Sequence, residues 1–115
     1  MPFSEICIYQ VKPDKVAEFE SIMNEAKPLL EDQDGLLHLC LMKRGYRIDM
    51  DQIREGLPPV ELTRVVKCVK YVLSWEFGTK EDYGNAQKRL YETFWKPIDK
   101  CLVQPHDKYL GEVVF

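Results

Sequence analysis

Apolar and polar residues interleave in the opening segment Phe3 to Val11 (FSEICIYQV), which is rich in β-branched and aromatic side chains and is closed by Lys12-Pro13. The pattern predicts a strand that the proline terminates, because proline fixes φ and carries no N–H. From Asp14 the period lengthens. Val16, Phe19, Ile22, Met23, Ala26 and Leu30 recur at three- and four-residue steps with Lys15, Glu18, Glu20 and Glu25 between them, the pattern of an amphipathic helix. Asp14 is its expected N-cap, and Pro28 is expected to kink or end it.

Asp34-Gly35 marks a turn into a second strand, Leu36 to Arg44 (LLHLCLMKR), which is too short and too apolar all round for a surface helix. The third strand runs from Val65 to Phe77, with Val69, Tyr71, Leu73, Trp75 and Phe77 forming one apolar face. Thr79-Lys80-Glu81-Asp82 resembles a capping box and starts a second helix, whose buried stripe is Tyr83, Ala86, Leu90 and Phe94. Lys96-Pro97 is expected to interrupt it, with a new short helix continuing to about Leu102. Tyr109 to Phe115 (YLGEVVF) reads as the last strand.

The order is βαββαβ, a ferredoxin-like α+β domain spanning residues 1–115, with helices on one face of an antiparallel sheet. A strand that is apolar on both faces, as Leu36 to Met42 is, then needs a second cover. A second subunit packed sheet against sheet is the simplest one, so a homodimer is expected. Residues 45–64 (GYRIDMDQIREGLPPVELTR) stand where a tight hairpin would suffice. A helical turn near Asp49 to Glu55, stopped by Gly56 and Pro58-Pro59, is expected inside this insertion. It reads equally as a decorated surface loop and as a lid or dimer clasp.

Composition narrows the function classes. The 115 residues are 45% hydrophobic and 30% charged, with a formal net charge of -3 and basic residues scattered along the chain. That balance predicts a globular domain and gives phosphate backbones no basic stripe to bind, so nucleic acid is not an expected partner. No apolar run approaches the roughly twenty residues of a membrane span, and the opening segment lacks the features of a secretory signal, so a cytoplasmic location is expected.

The four cysteines, Cys7, Cys40, Cys68 and Cys101, form no Cys-x-x-Cys pair, and those in apolar runs are expected to be buried thiols. With two histidines far apart, His38 and His106, no metal site is written, and neither a phosphate loop nor a serine-nucleophile elbow is present. His38 and Cys40 share a strand face, which opens nucleophilic chemistry beside the plainer role of a hydrogen-bonded histidine. Trp75, on the face with Tyr71 and towards the helices that carry Tyr83 and Phe94, could close a core or stack on a flat ligand.

The residues also resemble a known family. Val11-Lys12-Pro13-Asp14-Lys15 with Glu18-Phe19, the Asp34-Gly35-Leu36 turn, and Trp75-Glu76 followed by Lys80-Glu81-Asp82-Tyr83 are similar to motifs of antibiotic biosynthesis monooxygenase (ABM) domains. The resemblance implies a dimeric α+β barrel with a pocket between sheet and helices. It further implies cofactor-independent oxygenation of a small aromatic or quinol-type compound. On that reading Trp75, Tyr71, Cys7, Tyr9 and Phe94 bind substrate, and Tyr83 and His38 are the catalytic candidates. Tyr71 stands where such enzymes carry an asparagine. Haem-degrading relatives use an axial histidine on the second helix and an asparagine on the first strand; residues 79–95 hold no histidine, and Cys7 stands at the asparagine position. A non-catalytic ligand-binding or interaction dimer is the remaining alternative on the same scaffold.

Overall fold

In the computed structural model, which describes residues 1–64 and 67–115, the opening alternation becomes β1 (Phe3–Val11). Its Glu5, Cys7, Tyr9 and Val11 are buried, and the residues between them are partly exposed. After a 3-10 turn (Pro13–Lys15) come α1 (Val16–Glu31), β2 (Leu36–Lys43), β3 (Tyr46–Arg47), α2 (Met50–Glu55), β4 (Val60–Glu61), β5 (Val69–Phe77), α3 (Lys80–Lys100) and β6 (Asp107–Glu112).

The main sheet is four-stranded in the order β2-β5-β1-β6, and each neighbouring pair is antiparallel. This is the ferredoxin-like arrangement expected from the sequence. Register aligns the buried parities: Glu5 lies opposite Trp75, Cys7 opposite Leu73 and Tyr9 opposite Tyr71, all on the face covered by α1 and α3. Phe19, Met23, Ala26 and Leu30 descend from α1, and Tyr83, Ala86, Leu90 and Ile98 from α3, to close one core. The opposite face carries Ile6, Ile8, Val72, Met42 and Tyr109, and no helix among the described residues covers it. Gly35, at φ 75°, turns the chain into β2, and its carbonyl accepts from the Gly78 amide at 2.9 Å. A Cβ there would push aside the Asp82 carboxylate, a side-chain end that can move, so it is the positive φ that asks for glycine.

Several boundaries differ from the sequence expectation. Asp14 lies inside the 3-10 turn that Pro13 initiates, and α1 begins at Val16 with no side-chain cap. Neither Pro28 nor Pro97 ends its helix. Each removes one backbone donor, and burial of Leu30 and Ile98 just beyond holds the helical course. Thr79 does cap α3, its Oγ1 accepting from the Asp82 amide at 3.1 Å. The third long strand is described from Val69, and residues 65–66 of the expected strand lie outside the described residues. The last strand is Asp107–Glu112 rather than Tyr109–Phe115, because Glu112 already pairs with Phe3, where β1 begins. Cys7 is buried as expected, whereas Cys68 is half-buried and Cys40 is exposed on the open face; Cys101, just beyond α3, is also buried. The expected helical turn in the insertion is α2, with Asp49 as its N-cap. The β3–β4 pair at its base had no signature in the sequence.

Candidate functional site

Glu5 sits at an inward-facing position of β1 and is 1% exposed, an unusual place for a carboxylate. Three neighbours account for it. The Trp75 indole Nε1 donates to Glu5 Oε2 at 3.0 Å, and the Lys108 ammonium lies 3.5 Å from Oε1. The Tyr83 phenol is held above its ordinary range, first by burial and then by the neighbouring Glu5 carboxylate. Trp75 itself is fully buried, edge-on to Phe77 and Tyr83 with ring centroids 5.4 and 6.2 Å away. Its polar N–H is thus spent inside the protein.

Open space lies on either side of this filled centre. Between α3 and the β1–β6 pair is a cleft of about 260 Å³ lined by Tyr9, Gln87, Tyr91, Trp95, His106 and Lys108, with Leu90 and Ile98 as its apolar floor. Its walls are aromatic: Trp95 meets the His106 ring edge-on at 4.7 Å and stacks on Tyr91 at 5.7 Å, and Tyr9 lies 5.6 Å from His106. Two of its polar atoms, His106 Nδ1 and Gln87 Oε1, are buried without a hydrogen-bond partner. Each such atom costs about 1–3 kcal/mol, which an internal water with room to bond to it offsets. Burial, and then the Lys108 ammonium, lower the His106 pKa, which leaves the imidazole neutral near pH 7 and able to accept a proton. Burial also raises the Tyr9 phenol well above its usual range and pushes the Cys7 thiol up to about 12.

A second cleft, of about 490 Å³, lies between α1 and the β2–β5 edge, with Leu39, Leu41, Leu73 and Met23 below and Glu20, Lys27 and Lys43 at its rim. The Tyr71 hydroxyl donates to the Glu20 carboxylate, and Lys43 approaches the same carboxylate at 3.6 Å.

The residues singled out from sequence are therefore divided. Tyr9 lines the α3 cleft and Tyr71 the α1 cleft, while Trp75, Cys7 and Tyr83 form the packed centre between them and Phe94 packs half-buried against the core. His38 is on the other side of the sheet, because the irregularity between Leu36 and His38 sets it opposite Glu76 on the open face. From there it cannot serve as a base for a ligand on the helix side. Glu5, Gln87, Trp95, His106 and Lys108 were not foreseen. A charged residue at the buried parity of FSEICIYQV was the available signal for Glu5; His106 and Lys108 join the cleft only through the pairing of β6 with β1.

Among solved structures, an asparagine-to-alanine variant of SnoaB, a cofactor-independent oxygenase from Streptomyces nogalater, superposes with TM-score 0.66 at 13% identity over 99% of this chain and 94% of that one. A Nitrosomonas europaea protein provisionally described as an antibiotic biosynthesis monooxygenase gives 0.71 at 13% identity over 99% and 91%. Rv0793 of Mycobacterium tuberculosis gives 0.72 at 10% identity over 100% and 97%. The chain has the ABM fold. The motif resemblance read from the sequence and these superpositions thus agree over nearly the whole length. No family model and no curated protein matches the sequence. Among the described residues no helix is long and apolar enough to cross a membrane, and no group of three or more His, Cys, Asp or Glu side chains could hold a metal.

Proposed function

We propose that this ABM-fold chain is a cofactor-independent monooxygenase for a small aromatic, quinol-type compound, working as a homodimer, with the α3 cleft as its substrate site. The observation that carries the reading is a cleft walled by Tyr9, Tyr91 and Trp95 that the His106 imidazole and the Lys108 side chain also line. Aromatic walls stack on a flat ring, and a phenolic hydroxyl can both donate to and accept from polar groups of this kind. At about 260 Å³ the cleft is just below the usual range of ligand pockets, which suits a single ring better than a fused polyketide.

In this reaction neutral His106 takes the phenolic proton, and the Lys108 ammonium stabilises the phenolate. The electron-rich ring then reduces oxygen directly. One oxygen atom becomes a carbonyl at a ring carbon that gives up its single hydrogen, and the phenolate oxygen becomes the second carbonyl. The ring hydrogen and the phenolic proton leave with the other oxygen atom as water, so phenol plus O₂ gives quinone plus water. A dimer through the open sheet face would cover Ile6, Ile8, Met42, Val72 and Tyr109, an apolar surface a soluble monomer does not usually leave bare.

The test is oxygen uptake with a panel of single-ring phenols and quinols, corrected for autoxidation, together with calorimetric binding. Uptake that saturates in substrate and is lost in His106→Phe, with binding weakened in Gln87→Leu, supports the reading. Binding without uptake would leave a ligand-binding dimer instead, and no saturable binding by any member of the panel would remove the site.

A further inference from the structure

The insertion between β2 and β5 folds without a core. Strands β3 and β4 pair through Tyr46–Glu61 and Arg47–Val60, and α2 lies between them. Its local shape is fully specified. Asp49 Oδ1 accepts from the amides of Asp51 and Gln52, Gly56 closes α2 at φ 69°, and the Leu62 amide donates to the Gly45 carbonyl at 2.8 Å to seal the base. Yet no residue of 44–64 is buried, and Tyr46, Ile48, Met50, Ile53 and Leu57 are each at least half exposed.

Two-residue strands and a six-residue helix are far too short to hold their shape in water alone. Nor does the rest of the chain support them, since β3 and β4 pack on each other and neither they nor α2 makes an extensive contact elsewhere in the described chain. The arm stands off the body. The radius of gyration, 15.7 Å, accordingly exceeds the roughly 13 Å of a compact chain of about this length.

We infer that this arm is a clasp that closes over a second copy of the chain, packing Tyr46, Ile48, Met50, Ile53 and Leu57 against its partner at the margin of the paired open sheets. The inference rests on the homodimer proposed above. A second copy is favoured over an unrelated protein for two reasons. The arm is continuous with the open face, since the Arg44 amide donates to the Lys70 carbonyl at 2.9 Å at its root, one register step beyond the pair Lys43–Tyr71. The sheet is also narrow: four strands span roughly 19 Å by about 27 Å, a flat footprint of about 500 Å². Stable interfaces bury roughly 800 Å² of accessible surface per partner, and two exchanged arms add to what so narrow a sheet covers, by two-fold symmetry from one sequence.

The test is the dimer dissociation constant by sedimentation equilibrium for wild type, the arm variant Ile48→Glu/Ile53→Glu, and the sheet variant Ile8→Glu, with circular dichroism confirming that each is folded. Charging two isoleucines on each of two arms should weaken the dimer by about a hundredfold or more. A chain in which 46–61 is replaced by Asn-Gly should show the same loss while keeping its fold. Equal dissociation constants for wild type and both arm variants, with Ile8→Glu monomeric, would overturn the clasp and leave the sheet-paired dimer standing. A wild type that runs at 13.5 kDa at micromolar concentration overturns both.

Discussion

Removing the Glu5 carboxylate should be among the most damaging single changes in this chain. In Glu5→Ala the Trp75 Nε1–H, fully buried and now 3.0 Å from empty space, loses its acceptor, and the Lys108 ammonium loses the counter-charge at 3.5 Å. Breaking a buried charge pair by deleting one partner costs about 3–5 kcal/mol. Here the lower end applies, because the Lys108 side chain is 25% exposed and can turn towards water. An orphaned indole N–H accounts for about 1–3 kcal/mol of that, and the void left by the side chain for much of the rest. Glu5→Gln keeps an oxygen for the indole and loses only the charge, so about 1–2 kcal/mol is expected. At about 2.1 cal/mol/K per residue the unfolding entropy is roughly 0.24 kcal/mol/K, so the alanine variant should melt about 12 °C lower and the glutamine variant about 4–8 °C lower. Urea unfolding at a fixed protein concentration gives the free energies, and a double-mutant cycle with Lys108→Ala gives the coupling. An alanine variant within 1 kcal/mol of wild type, or no measurable coupling to Lys108, would refute the account of this network.

Two further outcomes follow from ionisation. His106 is lowered below its ordinary value by burial and by Lys108, so the unfolded chain binds its proton more readily than the folded one. Its contribution to stability is present above about pH 6.5 and lost as pH falls towards the folded-state pKa, so melting scans between pH 7.5 and 5 should decline less steeply in His106→Phe than in wild type. The Cys7 thiol, raised to about 12 mainly by burial, should resist a disulfide reagent in the native protein at pH 8 and react only once urea unfolds the chain. Modification of Cys7 without denaturant, read by peptide mass, would contradict the packed centre around it.

Much of the fold could be read from the chain because local rules and tertiary packing agree there. The period-two alternation of FSEICIYQV and the odd-numbered apolar face from Val69 to Phe77 are the two faces that register brings together, and the three- and four-residue spacing of Phe19, Met23, Ala26 and Leu30 is the buried stripe of α1. Predictions failed where a local rule was outweighed. Pro28 and Pro97 each cost one hydrogen bond, less than burial of the neighbouring Leu30 and Ile98 returns. Cys40 sits in an apolar run yet faces outward, because parity along β2 decides its side of the sheet.

The site was legible only in part, and the reason is geometric. Trp75 drew attention as a large aromatic near the end of a strand, but an indole whose N–H is satisfied by a buried carboxylate belongs to the scaffold. The open cleft is assembled from four places in the sequence: Tyr9 on β1, Gln87 to Trp95 along α3, His106 just before β6 and Lys108 within it. Nothing links these positions except the antiparallel pairing of β6 with β1, which sets Lys108 opposite Cys7 and brings His106 against Tyr9. Glu5 ties the two halves together. It accepts from Trp75 on one side and pairs with Lys108 on the other, so the carboxylate that seals the core also holds in place a side chain that lines the cleft.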